Sequence, residues 1–339
     1  MAPLALLGAC VGGSRLAPPS QGGPAWLELR TERFKVLTDL GRRGAERVIA
    51  ELERVYALLA KATDYGSDRE ALATRVFAFR TYDELQQFIP SRTTGLYTNR
   101  LKEEGDSFPT LLIHGNLEDF GRTLFAHELA HRFMGSALGP AGPWLHEGLA
   151  EYYSTVHGTP DALVVGDLDG ENVCASGKPW AAPGYVVYSG ERLLVSSLPA
   201  ASRVVTLEPS DFYGQEEEGG RLSWEANERM KRHYFVSWAL VHMLLHDDDL
   251  PYALEAQRTL SSTNPKAGQE IERIVGEVAA ERLDEDLRRY LGKSMRLHPR
   301  REPPAKAPTN LEVRELRDEE VRDYLTLLEP LRKVRQAPH

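Results

Sequence analysis

The segment His127-Glu128-Leu129-Ala130-His131 sets two imidazoles four residues apart, with a carboxylate beside the first. On an α-helix, positions i and i+4 lie one turn apart on one face. Two imidazoles so placed can grip one tetrahedral zinc ion, and Glu128 is close enough to take a proton from a water bound to it. A catalytic zinc needs a third protein ligand and keeps its fourth position open. Glu147 is the candidate. It stands in Trp144-Leu145-His146-Glu147-Gly148-Leu149-Ala150-Glu151-Tyr152, after a break rich in Gly and Pro. Glu151, four residues further on the same helix face, can accept a hydrogen bond from the far nitrogen of a ligating histidine. Its competing reading is a surface glutamate on an exposed turn.

The elements that must position these groups follow from the surrounding pattern. Leu124, Phe125, Leu129, Phe133, Met134 and Leu138 supply apolar positions around the histidines, which an exposed helix with two surface histidines would not need. The spacing therefore predicts a buried helix over 119–138 and a second over 143–156. Ten histidines are scattered through the chain, and only the 127/131 pair has ligand spacing. His146 points about 100° away from Glu147 around the helix and reads as a rim residue. His157, His242 and His246 read as structural or surface residues.

The two segments together resemble the gluzincin branch of zinc peptidases, in which a glutamate on the helix after His-Glu-x-x-His is the third ligand. The stretch Leu145 to Tyr152 is similar to the Glu-Gly-x-Ala-Glu element of zinc aminopeptidases, and closer still to peptidase-MA-like domains of bacterial proteins. The spacing departs: fifteen residues separate His131 from Glu147, fewer than in the aminopeptidases, and a shorter inter-helix loop absorbs the difference. The resemblance spans residues 26 to about 295. It implies a zinc cofactor held by His127, His131 and Glu147, Glu128 as general base, and a peptide or protein substrate. His233-Tyr234-Phe235-Val236-Ser237-Trp238-Ala239-Leu240 resembles the aminopeptidase helix start whose tyrosine hydroxyl stabilises the oxyanion. Tyr234 inherits that role, with His233 as the alternative donor and a plain core aromatic as the competing reading. By the same analogy the strand before the metal helix, Leu111-Leu112-Ile113-His114, could pair with an extended substrate backbone, or be an ordinary core strand. No Gly-x-Met-Glu-Asn segment precedes the metal helix, which speaks against an aminopeptidase. Two rival readings remain. One is a zinc-bearing but non-proteolytic surface or scaffold protein; the other is a non-peptide hydrolase on the same fold.

Composition agrees with a folded enzyme. The chain has 339 residues, 42% hydrophobic and 27% charged, enough for a large core. A net charge of −9 argues against nucleic acid as partner. No run of apolar residues is long enough to span a bilayer. Cys174 stands alone and reads as inert. Leu7-Gly8-Ala9-Cys10 resembles a bacterial lipobox, although no Lys or Arg precedes it. The resemblance implies export to a bacterial cell envelope, with membrane attachment only through lipid at Cys10. A cytoplasmic location stays open.

The expected organisation is α+β and zincin-like. Residues 1–24 read as leader and tether, and 25–117 as a small N-terminal subdomain with a mixed sheet and helices. Residues 118–296 read as a mainly helical zinc subdomain with a loop and strand insertion at 158–222. Residues 297–339 read as a Pro-rich linker and an amphipathic C-terminal segment. Two short strands should flank Thr31-Glu32-Arg33. Gly41–Ala62 and Leu222–His246 carry strong helical periodicity, Arg75–Phe79 and Thr110–His114 read as strands, and Tyr82–Phe88 as a short helix. Glu216-Glu217-Glu218 reads as a solvated loop, or more weakly as an attractor for a basic substrate.

Overall fold

The structure, a computed structural model, describes residues 16–63, 73–89, 95–103, 106–115, 121–158, 163–166, 185–188, 191–214, 223–262, 264–292 and 310–336. Cys10, Cys174, the triple glutamate at 216–218 and the Pro-rich linker at 297–309 lie outside the described residues. The elements before the metal helices are β1 (Leu27–Arg30), β2 (Phe34–Thr38), α1 (Arg42–Ala62), β3 (Thr74–Phe79), α2 (Tyr82–Leu85), β4 (Gly95–Thr98), β5 (Lys102–Glu103), β6 (Asp106–Ser107) and β7 (Thr110–His114). The helices carrying the candidate ligands are α3 (Gly121–Leu138) and α4 (Pro143–Ser154). Next come β8 (His157–Gly158), β9 (Leu163–Val164), β10 (Tyr185–Tyr188), β11 (Glu191–Leu194), α5 (Ala201–Val204) and α6 (Pro209–Tyr213). The rest is α7 (Trp224–His246), α8 (Pro251–Leu260), α9 (Ala267–Gly276), α10 (Ala280–Leu291), β12 (Glu312–Glu315) and α11 (Asp318–Gln336).

The fold is mixed α+β, built on a six-stranded sheet in the order β12-β1-β2-β3-β7-β4. β1 and β2 are antiparallel, as their alternation predicts. Thr31 makes the turn between them: its hydroxyl accepts from the N–H groups of Arg33 (3.3 Å) and Phe34 (3.1 Å). β2, β3 and β7 run parallel, joined by helical crossovers. Side-chain alternation divides the sheet between two cores. Val36, Val76, Leu111 and Ile113 face α1 and α3, in one continuous core that runs on to α4 and α7. Leu37, Phe77, Phe79 and Leu112 face the other way, packed with Trp26, Phe88, Leu316, Val321 and Leu328.

Of the two readings of Leu111 to His114, the ordinary core strand is the one found: β7 has β3 on one side and β4 on the other. The sheet edge beside the metal helix belongs to β4, whose four residues carry too little pattern to be read as a strand. The C-terminal amphipathic segment is not one helix. Its first residues form β12, antiparallel to β1, and α11 begins only at Asp318. Arg314 of β12 reaches the buried Glu28 of β1 (3.0 Å), which also meets Arg30 (2.5 Å) and Lys35 (3.6 Å). Burial would raise Glu28, but these cations and their hydrogen bonds hold it down to about 2. The 158–222 stretch includes the short helices α5 and α6 as well as strands. Among the described residues no helix is long and apolar enough to cross a membrane.

Asp39 follows β2 and is 1% exposed. Its Oδ1 accepts from the Arg80 backbone N–H (3.0 Å), while burial and the nearby Glu84 carboxylate push its pKa up to about 6. Between the ordinary value near 3.8 and about 6 the folded chain keeps a proton that the unfolded chain releases. Stability therefore falls as pH rises through this window, and ionised Asp39 then costs up to about 3 kcal/mol. Asp39→Asn, which keeps the acceptor, should raise the denaturation midpoint at pH 7 but leave it nearly unchanged at pH 4. Equal midpoints for the two proteins at pH 7 would refute this.

Candidate metal centre

α3 buries Phe125, Ala126, Leu129, Phe133 and Met134. That anchoring turns His127 and His131 toward α4 and sets Glu128 against β4. The imidazoles of His127 and His131 lie 4.8 Å apart between ring centres, with their Nε2 atoms 3.2 Å apart. α4 starts at Pro143, where a proline suits the first helical position, and Glu272 of α9 accepts from the Gly142 backbone N–H. One turn on, Glu147 brings Oε2 to 3.3 Å from His127 Nε2 and 3.5 Å from His131 Nε2. The ligand atoms of the three residues all lie within 4.8 Å of one another.

Gly148 makes this approach possible. A Cβ there would lie 2.5 Å from the carbonyl oxygen of Ser237 and 2.8 Å from Val241 Cγ2 on α7. Only a residue without a side chain lets α4 rest on α7 so closely.

Three partners hold the ligands. Glu151 sets Oε1 3.3 Å from Nδ1 of His127, on the far side of the ring from Glu147. Tyr213, at the end of α6, donates its hydroxyl to Oε1 of Glu147 at 2.7 Å. Tyr234 lies nearly parallel to the His127 ring, 6.3 Å away and 22° off. Tyr213 was not anticipated: it sits in a five-residue helix where no periodicity or motif spacing marks it.

Electrostatics follow from burial and proximity. Burial disfavours charge on His127, but hydrogen bonds to Glu147 and Glu151 outweigh it and hold the imidazole well above its ordinary value. Burial likewise opposes ionisation of Glu147, yet the charge of His131 and the hydrogen bonds from both histidines keep its carboxyl well below the usual range. Glu128, 8% exposed, goes the other way: burial raises it, against the pull of the two imidazoles and a backbone hydrogen bond from Tyr97 of β4. β4 also frames this carboxylate sterically, since a Cβ at Gly95 would lie 3.0 Å from Glu128 Oε1.

The donor set fits a divalent metal. Oε2 of Glu147 is buried, and its near polar neighbours are the two Nε2 atoms, which also face each other. Two imidazoles and one carboxylate, with Glu151 behind His127 and Tyr213 behind Glu147, are a donor set that could hold such an ion.

His233 is not brought to this cluster. Its Nδ1 donates to the carbonyl of Phe212 at 2.9 Å, and its ring packs on Phe212. No family model and no curated protein sequence matches the chain.

Tyr213→Phe should lower metal affinity about 10–100-fold, the usual effect of losing a partner behind a ligand, with no loss of folded protein. Competition against a fluorescent chelator measures it. An unchanged affinity would mean the hydroxyl does not orient Glu147.

Proposed function

We propose that this protein is a zinc-dependent peptidase of the gluzincin type on a zincin-like fold. The observation that carries the reading is the convergence of the ligand atoms of His127, His131 and Glu147 within 4.8 Å of one another, with Glu128 beside them. A zinc ion held there would supply Lewis acidity toward a bound water and a scissile carbonyl. Glu128 takes a proton from the attacking water as its oxygen bonds to the carbonyl carbon. It then returns that proton to the amine as the carbon–nitrogen bond breaks. Burial lifts the Glu128 carboxyl toward the range a general base needs. Tyr234, alongside His127, is the donor for the developing oxyanion. Glu151 fixes the orientation of His127, and Tyr213 that of Glu147.

The outer edge of β4, which no described strand covers, offers main-chain groups to an extended peptide. Leu111 to His114, paired on both sides, cannot offer theirs. A helical C-terminal region is also what the rival scaffold protein would show, with its last segment either docked on the body or meeting a partner. Leu316, with Val321 and Leu328 of α11, covers the sheet, so that helix is engaged within the chain.

The test is a peptide library incubated with zinc-loaded protein, with the products read by mass spectrometry and the metal content measured in the same sample. Cleavage that stops on chelation and returns with zinc supports the reading. Intact peptides in the presence of protein carrying one zinc would refute the hydrolase and leave only the metal site.

A further inference from the structure

Glu128 rests on β4, and three observations place the two together. A Cβ at Gly95 would lie 3.0 Å from Oε1 and 3.1 Å from Cγ of Glu128, so the bare backbone of β4 lies directly on this side chain. Tyr97 gives its backbone N–H to the same carboxylate. Residues two apart on a strand share a face, and the packing agrees. Tyr97 lies against the core that includes Phe125 and Leu129 of α3, whereas Leu96, between it and Gly95, packs with the opposite core. The carboxylate that the peptidase reading makes the general base is thus held by a main-chain donor at the edge of the sheet.

That donor has a second claimant. β4 pairs antiparallel with β7, with Gly95 opposite Ile113, Leu96 opposite Leu112, Tyr97 opposite Leu111 and Thr98 opposite Thr110. In an antiparallel ladder the N–H and C=O of one residue point to the same side, and successive residues alternate. A Tyr97 N–H directed at Glu128 is turned away from β7, and the main-chain groups of Gly95 share its side. Leu96 and Thr98 therefore hold the ladder. In the order of the sheet no described strand lies beyond β4, so a strand added there bonds through Gly95 and Tyr97. The added residue opposite Tyr97 exchanges two hydrogen bonds with it, one of them accepted from the Tyr97 N–H. Glu128 and an added peptide compete for one proton donor.

We propose that β4 is a latch on Glu128 that the substrate itself opens: an extended peptide adding to this edge takes the Tyr97 N–H and releases the carboxylate to the metal centre. Freed, the carboxylate is able to turn toward His127, His131 and Glu147, whose charges already reach it. A bond to a carboxylate is roughly twice as strong as a neutral one, so a single peptide carbonyl does not displace Glu128. A peptide succeeds through the further bonds it makes along Gly95 and Tyr97. The substrate class is therefore a chain segment extended over about three residues or more, such as an unfolded stretch or a loose terminus, and not a dipeptide. The consequence for turnover rests on the peptidase reading; the competition for the Tyr97 N–H does not.

The test compares peptide binding to zinc-loaded Glu128→Ala and Glu128→Gln. Neither has the carboxylate needed for turnover, and the two carry the same charge. Glutamine keeps an oxygen that accepts from Tyr97; alanine does not. The probe is fluorescein-Thr-Val-Thr-Val-Thr-amide, followed by anisotropy, beside its fully N-methylated form, which cannot pair as a strand. Glu128→Ala should bind the probe about three- to tenfold tighter than Glu128→Gln, the worth of one hydrogen bond. Neither should bind the methylated form. Tyr97→Pro in both backgrounds removes the contested donor, at an edge position where proline is tolerated because its nitrogen faces away from the ladder. There the two proteins should bind equally. Should the proline chains not fold, amide exchange at Tyr97 decides. Without peptide, this N–H should be protected in Glu128→Gln and exchange faster in Glu128→Ala. Equal affinities or equal protection with Tyr97 in place, a difference that survives Tyr97→Pro, or no binding of the unmethylated probe would overturn the proposal. Failure of the peptidase reading would show instead in the cleavage assay of the unaltered protein, and would leave these binding ratios in place.

Discussion

Glu128→Gln is expected to keep its metal and lose hydrolysis by about 10²–10⁴-fold, the range that a positioned general base contributes. Glutamine has nearly the same shape, so the fit beside Gly95 and the edge of β4 survives. The metal should stay because Glu128 is not in the ligand group; His127, His131 and Glu147 are. What disappears is a carboxylate able to carry a proton from water to the leaving amine. His131→Ala provides the contrast, because it removes a ligand: metal content and turnover should fall together. The measurement is metal stoichiometry and cleavage rate for both variants beside the unaltered protein. Full turnover by Glu128→Gln would rule out the mechanism, even with zinc present.

Gly148→Ala is expected to damage fold and site at once. Of the atoms its new methyl group would meet, two belong to the Ser237 backbone, the oxygen at 2.5 Å and the carbon at 2.8 Å. Neither can rotate away, so α4 has to retreat from α7. Overpacking of this kind costs about 1–3 kcal/mol, on the order of 2–10 °C in Tm for a chain of this size. Glu147 is the adjacent residue, and displacing it moves Oε2 away from both imidazoles. Calorimetry and chelator competition should therefore show loss of stability and of metal affinity together. Tyr213→Phe, by contrast, should lower affinity alone. An alanine variant with unaltered Tm and affinity would show that the two helices can separate at no cost.

The long amphipathic elements were legible because each buries one continuous stripe. Val48, Ile49, Leu52, Val55, Tyr56 and Leu59 mark α1 in the sequence, and all are buried. The convergence of His127, His131 and Glu147 was legible because helix periodicity and one inter-helix break fix where those side chains go. What escaped depends on partners distant in sequence. β4 is a strand only because β7 lies beside it, and β12 only because β1 does. Tyr213 matters only because α6 meets α4, and nothing within five helical residues signals that meeting. His233 was misplaced for a related reason. Neighbouring residues on a helix point about 100° apart, so a segment that brings Tyr234 to His127 turns His233 toward Phe212.

The pairing of β12 with β1 also governs the order in which the molecule can be finished. Glu28 and Arg314 are 286 residues apart, so the outermost pair of strands joins only after nearly all the helices have been synthesised. Until Leu316, Val321 and Leu328 arrive, the sheet face bearing Phe77, Phe79 and Trp26 lacks its cover. A chain cut short near residue 300 could still assemble both halves of the metal centre, yet would display that apolar face. β12 and α11 thus close one face and one edge of the sheet while bringing no group to the candidate metal centre.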